Sequence, residues 1–367
     1  MTPARLWQRY VLPALIIIPI YFLFLAYPPL RLMDLLRPDW QPGTAMLLTV
    51  FIGPALGRLS YEWRPGPSTR RLSALALTWC GLCFVALCLL LPFEVLNAVL
   101  DLPRQASGLV LLGAVAALGF IGVAQAQLLP VRKLHLTVPR AAWPEGPGRC
   151  ASRPLQFAQI SDVHIGSREP AYLRRVVRRV AELPVDYVLI TGDLIDFRDI
   201  SLAQLRPLGD LPVPVLFCIG NHERYVDLED ICERLRRVGV IVLRNESITL
   251  NGVQFIGIDD AERRDQVARH LPAITPEAAL RVLLYHRPDG AEAAQQWGAH
   301  LMFCGHTHNG QIKPFNLLVR RQFARIAGLY RIGDLQLYVS PGTGTWGPVM
   351  RLGTCGEVTW VTVRSDV

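Results

Sequence analysis

Long apolar runs crowd the first 130 residues of the chain, and shorter apolar runs separated by polar clusters follow them. An α-helix needs about 20 apolar residues to cross the hydrocarbon core of a membrane. We predict four such helices, at residues 10–30, 43–59, 72–93 and 107–129, of which the second is the shortest. Their central portions contain no charged residue or histidine. This favours a membrane anchor over a transport pathway, which would place ionisable groups there.

The positive charges between these segments predict an orientation. Arg5 and Arg9 precede the first segment, further arginines fill the loop between the second and third, and Arg132 and Lys133 follow the fourth. Loops rich in arginine and lysine remain in the cytoplasm. We therefore predict a multi-pass protein of the cell inner membrane, with both chain ends and the C-terminal domain on the cytoplasmic side.

Beyond residue 131 the pattern changes to short apolar runs that alternate with helix-length amphipathic stretches. Six runs are typical of buried strands: LQFAQI, DYVLIT, VPVLFCI, VQFIGI, RVLLYH and HLMFCG. The alternation predicts an α/β layered domain. We assign residues 1–131 to the transmembrane region, 132–154 to a Pro- and Gly-rich linker and 155–367 to the α/β domain.

Composition narrows the classes of partner. The net charge of +8 comes mainly from arginine that flanks apolar runs. No zinc-finger, helix-turn-helix or base-stacking signature accompanies it, so we expect attraction to the membrane and no nucleic-acid binding. The eight cysteines form no disulfide framework and indicate a reducing compartment.

Clusters rich in Asp, Asn and His follow five of the predicted strands. They are DVH at 162–164, GDLID at 192–196, GNHE at 220–223, YH at 285–286 and GHTHNGQ at 305–311. Carboxylate, amide and imidazole groups suit manganese, iron or zinc. Each cluster alone is more often a turn or a satisfied core histidine. Their joint occurrence at strand ends, where α/β sheets bind ligands, predicts a metal-dependent active site.

This series closely resembles the calcineurin-like metallophosphoesterase superfamily, from about Leu155 to Val363. It is most similar to the bacterial branch of membrane-associated phosphodiesterases, whose members also carry a late segment like YVSPGTGTWGPVMRLG. Asn309 stands where the GHTHGGQ-like motif has glycine. The resemblance implies an αββα sandwich of two mixed sheets flanked by helices, here preceded by a bundle of about four transmembrane helices. It also implies two divalent metal ions, with manganese as the first expectation and iron or zinc as alternatives.

The resemblance implies a role for particular residues. Seven would hold the two ions: Asp162, His164 and His308 the first, Asn221, His286 and His306 the second, and Asp193 both. A hydroxide between the ions would be the nucleophile. His222 would contact the phosphate and protonate the leaving oxygen, or it would orient a neighbouring ligand. Asp196 and Glu223 are expected to fix histidine tautomers or helix starts.

We expect a hydrolase that cleaves a phosphodiester or pyrophosphate bond. A lipid-linked substrate at the membrane surface is the first hypothesis, because the linker is short and residues 312–331 mix apolar side chains with arginine. The alternative is a membrane-anchored enzyme acting on soluble nucleotides or general phosphoesters. A non-catalytic membrane scaffold is the third interpretation, and the complete ligand set argues against it.

Overall fold

The computed structural model describes residues 18–144 and 153–366, so part of the first predicted membrane segment and part of the predicted linker lie outside the described residues. Contacts divide the chain into two units. The first comprises Met1–Ala124 with Gly347–Met350, and the second comprises Gln125–Trp346 with Arg351–Val367.

The first unit is built from four helices, each long and apolar enough to cross a membrane: α1 (Ile18–Leu36), α2 (Thr44–Trp63), α3 (Pro67–Leu100) and α4 (Arg104–Gln125). The prediction of four apolar amino-terminal helices is thereby confirmed. Inside this unit Leu35 and Leu90 are fully buried in a small apolar cluster. Val99 and Phe120 are largely exposed. Large apolar side chains on the outside of a helical unit suit a lipid environment.

The second unit contains two six-stranded mixed sheets. In spatial order the first sheet is β1 (Val131–Val138), β12 (Val358–Ser365), β2 (Leu155–Ile160), β3 (Tyr187–Thr191), β4 (Val215–Cys218) and β5 (Ile241–Leu243). The second sheet is β10 (Gly328–Ile332), β11 (Leu335–Val339), β9 (Leu301–Cys304), β8 (Leu280–Tyr285), β7 (Val253–Ile258) and β6 (Glu246–Leu250). Strands β2 to β5 are parallel, as are β7, β8, β9 and β11, whereas β12 runs antiparallel to β2. All six strands predicted from the sequence are present.

Helices cover the outer faces of both sheets. The α-helices of this unit in the described residues are α5 (Pro170–Ala181), α6 (Leu202–Leu205), α7 (Asn221–Tyr225), α8 (Leu228–Arg237), α9 (Gln266–His270), α10 (Ala291–Trp297) and α11 (Asn316–Gln322). Apolar side chains of α5, α6 and α8 pack against the first sheet, and those of α9 and α10 pack against the second. In α5, Leu173, Val176 and Val180 are buried at helical spacing, and Arg174 and Arg178 are exposed on the opposite face. Each sheet has its own apolar core against its helices.

The two sheets pack on each other through a third core. Phe157 of β2 lies at its centre, with the rings of Phe255 and Phe303 edge-on to it at 5.9 and 6.1 Å. Such edge-to-face packing is the preferred arrangement of aromatic rings. The layers therefore run helix, sheet, sheet, helix, which confirms the predicted αββα sandwich.

The predicted linker is wrong at its beginning, because residues 131–138 form β1. This strand pairs in parallel with β12, which lies at the other end of the unit in sequence. Leu134, Leu136 and Val138 alternate with polar residues and are buried in the core between the sheets. The alternation is typical of a strand with one buried face, but its pairing partner is distant in sequence.

Candidate metal centre

The carboxyl ends of five strands meet at one edge of the sandwich and bring the polar clusters together. Asp162 follows β2, and Asp193 follows β3. Asn221 begins α7 shortly after β4, and His286 and His306 follow β8 and β9. Parallel strands present their carboxyl ends on the same side, so the site results directly from the topology.

Several of these residues adopt left-handed backbone conformations. The φ angles are 53° at Asp162 and His164, 50° at Asp193, 72° at His306 and 49° at His308. Each non-glycine residue in this region costs roughly 1–2 kcal/mol. Strain of this kind persists where the surrounding structure enforces it, which occurs characteristically at functional sites.

Two glycines allow the carboxylates to approach neighbouring backbone. A Cβ atom added at Gly220 would lie 2.2 Å from Asp193 Oδ1, and one added at Gly305 would lie 2.2 Å from Asp162 Oδ2. Any side chain at these positions would displace a carboxylate. The glycines in the GNHE and GHTHNGQ motifs are therefore required by the position of the acidic groups.

A first donor cluster comprises Asp162, His164 and His308, whose donor atoms all lie within 4.8 Å of one another. His164 Nε2 is 3.1 Å from His308 Nε2, which is 3.3 Å from Asp162 Oδ1. Two donors bound to one ion at about 2.1 Å are separated by roughly 3.0–3.4 Å. The spacing therefore fits a single coordinated ion, and all three side chains are buried.

A second cluster comprises Asp193, His286 and His306. His286 Nε2 lies 3.1 Å from both Asp193 Oδ2 and His306 Nδ1. Asp193 Oδ2 is also 3.9 Å from Nε2 of His164, a member of the first cluster. Asp193 thus faces both clusters, the position that a bridging carboxylate requires.

Asn221 supplies a further donor to this edge. Its Nδ2 donates a hydrogen bond of 3.0 Å to the Tyr225 hydroxyl, while its Oδ1 is buried without a hydrogen-bond partner among the described residues. An unsatisfied buried acceptor costs about 1–3 kcal/mol, and a cation would satisfy it. The structure brings all seven side chains proposed as ligands to one edge. Their chemistry fits divalent metal ions, and so does the spacing of the Asp and His donors within each cluster.

Charges within the second cluster are strongly coupled. Burial raises the pKa of Asp193, but the charge and hydrogen bond of His286 outweigh burial and hold that pKa well below its usual range. Burial lowers the pKa of His286, yet Asp193 raises it to about 10. Without a metal, a proton on His286 therefore neutralises Asp193. A metal ion must displace that proton, because only neutral imidazole binds metal.

His222 lies beside both clusters. Its backbone N–H donates to Asp193 Oδ1 at 2.9 Å, and its ring centroid is 4.7 Å from that of His164. The half-buried ring also contacts Tyr225 and Trp346, at centroid distances of 5.3 and 6.4 Å. Burial lowers the pKa of His222 to about 4. The imidazole is therefore neutral at neutral pH until an anion beside it raises its pKa.

Glu223 connects two of the loops that carry ligands. Its Oε2 accepts hydrogen bonds from the backbone N–H groups of Asp193 (3.1 Å) and Gly220 (2.8 Å). Its Oε1 accepts from Leu194 (2.8 Å) and Ile195 (3.0 Å). The fully buried carboxylate therefore ties the loop after β3 to the start of α7, and it positions Asp193 through the backbone.

Asp196 supports His164. Its Oδ2 is 3.5 Å from His164 Nδ1, and its Oδ1 accepts a 3.0 Å hydrogen bond from the Ser167 backbone. A carboxylate beside the second ring nitrogen of a ligand histidine fixes the ring orientation and tautomer.

Sequence reasoning missed Arg351, which is fully buried behind His308. Its Nη2 donates to the carbonyls of Pro341 (2.8 Å) and Gly344 (2.7 Å) and lies 3.4 Å from His308 Nδ1. Burial lowers the pKa of Arg351 to about 10, so it remains charged at neutral pH. It holds the loop after β11 against the metal loop. The sequence offered one indication of its importance, since Arg351 lies in the segment YVSPGTGTWGPVMRLG, which resembles the family.

Comparison with known proteins agrees with this geometry. The family model described as calcineurin-like phosphoesterase matches residues 155–310. A transmembrane protein with metallophosphoesterase domain from Danio rerio is 30% identical over 279 residues, covering 70% of this chain and 62% of that protein. An uncharacterized metallophosphoesterase from Helicobacter pylori is 32% identical over 218 residues, covering 56% of this chain and 59% of that protein.

A further relative is the phosphodiesterase YaeI from Escherichia coli, 29% identical over 228 residues, which cover 56% of this chain and 81% of that protein. The chain spans about three fifths of the length of the first two relatives. The similarity to the Danio rerio protein extends over more of this chain than the family model does.

Proposed function

Because the chain belongs to the calcineurin-like phosphoesterase family, we propose that it is a metal-dependent hydrolase of a phosphodiester or pyrophosphate bond. The observation that carries the proposal is the pair of donor clusters, which meet at Asp193. Divalent ions held there would bind phosphate oxygens and supply a bridging water that is activated for attack at neutral pH. Manganese is the proposed metal, because the donors are oxygen and imidazole nitrogen, and iron or zinc are alternatives.

The chain's own residues have three tasks in this proposal. Asp193 faces both donor clusters and would reduce the repulsion between two cations held there. Glu223 fixes the backbone of Asp193 by accepting a hydrogen bond from its N–H group. His222 lies where a substrate phosphate would raise its low pKa, so that the imidazole can carry a proton to the leaving oxygen.

We place the substrate at the membrane surface, in a lipid-linked form. Helix α11 buries none of its side chains. Leu317 and Leu318 are 61% and 53% exposed, and Phe315 precedes them. Exposed apolar side chains near a basic residue, here the exposed Arg321, are typical of segments that lie in the interface of an anionic membrane. Five residues, 126–130, join α4 to β1, so the connection to the membrane helices is short.

One observation favours the alternative, a soluble nucleotide. The rings of Tyr225 and Trp346 are 54% and 53% exposed and both contact His222. Gln311 fixes the Trp346 backbone by donating to its carbonyl at 2.9 Å and accepting from its N–H at 2.8 Å. Exposed, well-positioned aromatic rings can stack on a nucleobase.

Turnover by the purified full chain tests both substrate classes. The protein in detergent would be supplied separately with manganese, zinc or iron and given a chromogenic phosphodiester, a soluble nucleotide diester and extracted membrane lipids read by mass spectrometry. We expect metal-dependent hydrolysis that Asp193→Asn abolishes, and a higher kcat/KM for a lipid. If metal-loaded protein hydrolyses none of these substrates, the proposed hydrolase activity is refuted. Preference for the soluble nucleotide would refute the lipid-linked substrate alone.

We also propose that the catalytic unit faces the cytoplasm of the inner membrane, on the evidence of the arginine distribution. Reporters fused to the C-terminus test this orientation. A reporter active only in the cytoplasm should work, and one active only outside should fail. The opposite pattern would refute the proposed topology and, with it, the supply of substrates from the inner leaflet.

A further inference from the structure

A cavity of about 370 Å³ opens beside the metal loop, and none of the seven proposed metal ligands lines it. Six residues line it: Asn309, Arg320, Ala324, Ile326, Ala327 and Tyr330. They come from the GHTHNGQ motif, from α11, from the segment that leads into β10 and from β10 itself. The cavity is thus formed by the part of the chain that follows the last metal ligand.

The wall of the cavity is attached directly to the metal loop. Thr307 Oγ1, between two ligand histidines, donates to the carbonyl of Ile326 at 2.5 Å. The ring of Phe323 packs edge-on against His306 at 5.2 Å. Asn309 is the residue after His308. A group bound in the cavity would therefore be held beside a phosphate at the metal centre.

Asn309 brings a polar side chain to this cavity at a position with glycine-like backbone. Its φ and ψ are 52° and 29°, in the left-handed region. Asparagine tolerates this conformation better than most residues. The replacement of the usual motif glycine therefore keeps the loop and adds a carboxamide to the cavity lining.

Arg320 supplies the positive charge. It is exposed at the cavity, and no hydrogen bond or ion pair joins its side chain to any residue in the described parts of the chain. A guanidinium group offers paired N–H donors that match phosphate and carboxylate oxygens. The remaining lining residues are Ala324, Ile326, Ala327 and Tyr330.

We propose that this cavity is a subsite for a second anionic group of the substrate, of the phosphate or carboxylate class, bound by Arg320 and Asn309. The inference rests on the proposed hydrolysis of a phosphoester and defines its substrate further: one carrying an anionic group beyond the reacting phosphate. Lipid head groups and soluble nucleotides can both carry such a group. The substrates of the test therefore come in two pairs, one from each source.

Each pair differs by a single phosphate. The soluble pair is the p-nitrophenyl ester of thymidine 5′-phosphate, with and without a 3′-phosphate. The lipid pair is phosphatidylinositol in mixed micelles, with and without a phosphate on the inositol ring. We expect wild-type protein to prefer the member with the extra phosphate in at least one pair, and that pair identifies the source.

Variants connect the preference to the cavity. Arg320→Ala and Asn309→Gly should lower kcat/KM for the preferred substrate about tenfold or more, mainly by raising KM. For the substrate of the same pair that lacks the extra phosphate, kcat/KM should change less than about twofold. Asn309→Gly retains access to the left-handed backbone, so it removes only the carboxamide. Arg320→Lys should keep part of the preference for the extra phosphate. Arg331→Ala, which removes an exposed arginine from β10 outside the cavity lining, is the matched control.

Binding provides a readout that does not need turnover. Calorimetry on the full chain would compare thymidine 3′,5′-bisphosphate with thymidine 5′-phosphate, and inositol bisphosphate with inositol monophosphate. Tighter binding of the doubly phosphorylated ligand that Arg320→Ala abolishes supports the subsite, even if hydrolysis itself fails. Equal effects of Arg320→Ala and Arg331→Ala, or no preference for the second phosphate in either pair, would overturn the inference.

Discussion

Replacement of Glu223 tests the claim that one buried carboxylate holds the two loops of the metal centre together. Glu223→Ala removes the acceptor of four backbone hydrogen bonds, from Asp193, Leu194, Ile195 and Gly220, of 2.8 to 3.1 Å. Each buried N–H left without a partner costs about 1–3 kcal/mol. The four together give about 4–12 kcal/mol, and water entering the vacated space will recover part of it.

We expect Glu223→Ala to lower the free energy of unfolding of the catalytic unit by at least about 4 kcal/mol, a large part of the about 5–15 kcal/mol typical of a domain. Glu223→Gln keeps one oxygen and therefore two of the four hydrogen bonds, but it turns an NH₂ group toward two N–H donors. We expect a loss of about 2–4 kcal/mol for this variant.

Thiol labelling reports unfolding of this unit without interference from the membrane helices. Cys218 and Cys304 lie in central strands and are fully buried. Full-length protein in detergent would be titrated with urea and pulsed with a maleimide, and mass spectrometry would quantify labelling at each cysteine. The experiment should run at about pH 8.5, because burial raises the pKa of Glu223 to about 7 and the carboxylate must be ionised.

Glu233→Ala is the matched control, because Glu233 is exposed on α8 and should change stability by less than about 0.5 kcal/mol. If Glu223→Ala stays within about 1 kcal/mol of wild type, the loops are held by other contacts. The role of Glu223 in positioning Asp193 would then have to be abandoned.

Three further predictions concern the metal ligands and their neighbours. Asp193→Asn should abolish hydrolysis and lower the metal content measured by elemental analysis, while Cys218 stays protected from maleimide. His222→Ala should lower kcat by about 100-fold or more with metal content unchanged, and loss of metal in this variant would instead make His222 a ligand. Metal-free protein should lose stability as pH rises from about 6.5 to 10, because Asp193 outweighs burial and raises the folded-state pKa of His286 from 6.5 to about 10. Urea titrations across this pH range, with metal-loaded protein showing no matching decline, check the last prediction.

The strands and the residues that end them were predictable from the sequence alone. Runs such as LQFAQI and DYVLIT are short and mostly apolar, which is typical of buried strands. The polar clusters follow them directly in the chain, so the placement of Asp162 and Asp193 at strand ends needs only local information. The four apolar helices were predictable for the same reason, since length and hydropathy are properties of one segment.

Tertiary structure alone decided which distant segments complete these elements. The pattern VRKLHLTV shows only a few alternating apolar positions, and it becomes β1 because β12, near the other end of the chain, offers a free edge. The sequence predicts that Glu223 fixes a histidine tautomer or a helix start, but its link to the loop after β3 arises only in the fold, where that loop directs three N–H groups at it. The late segment that resembles the family contains Arg351, but the contacts of Arg351 were not predictable because its partners are backbone carbonyls, and every residue type provides those. The cavity at Asn309 likewise depends on where α11 packs. Burial, pairing and hydrogen-bond partners are relations between segments far apart in the chain, so they arise only when the whole fold is assembled.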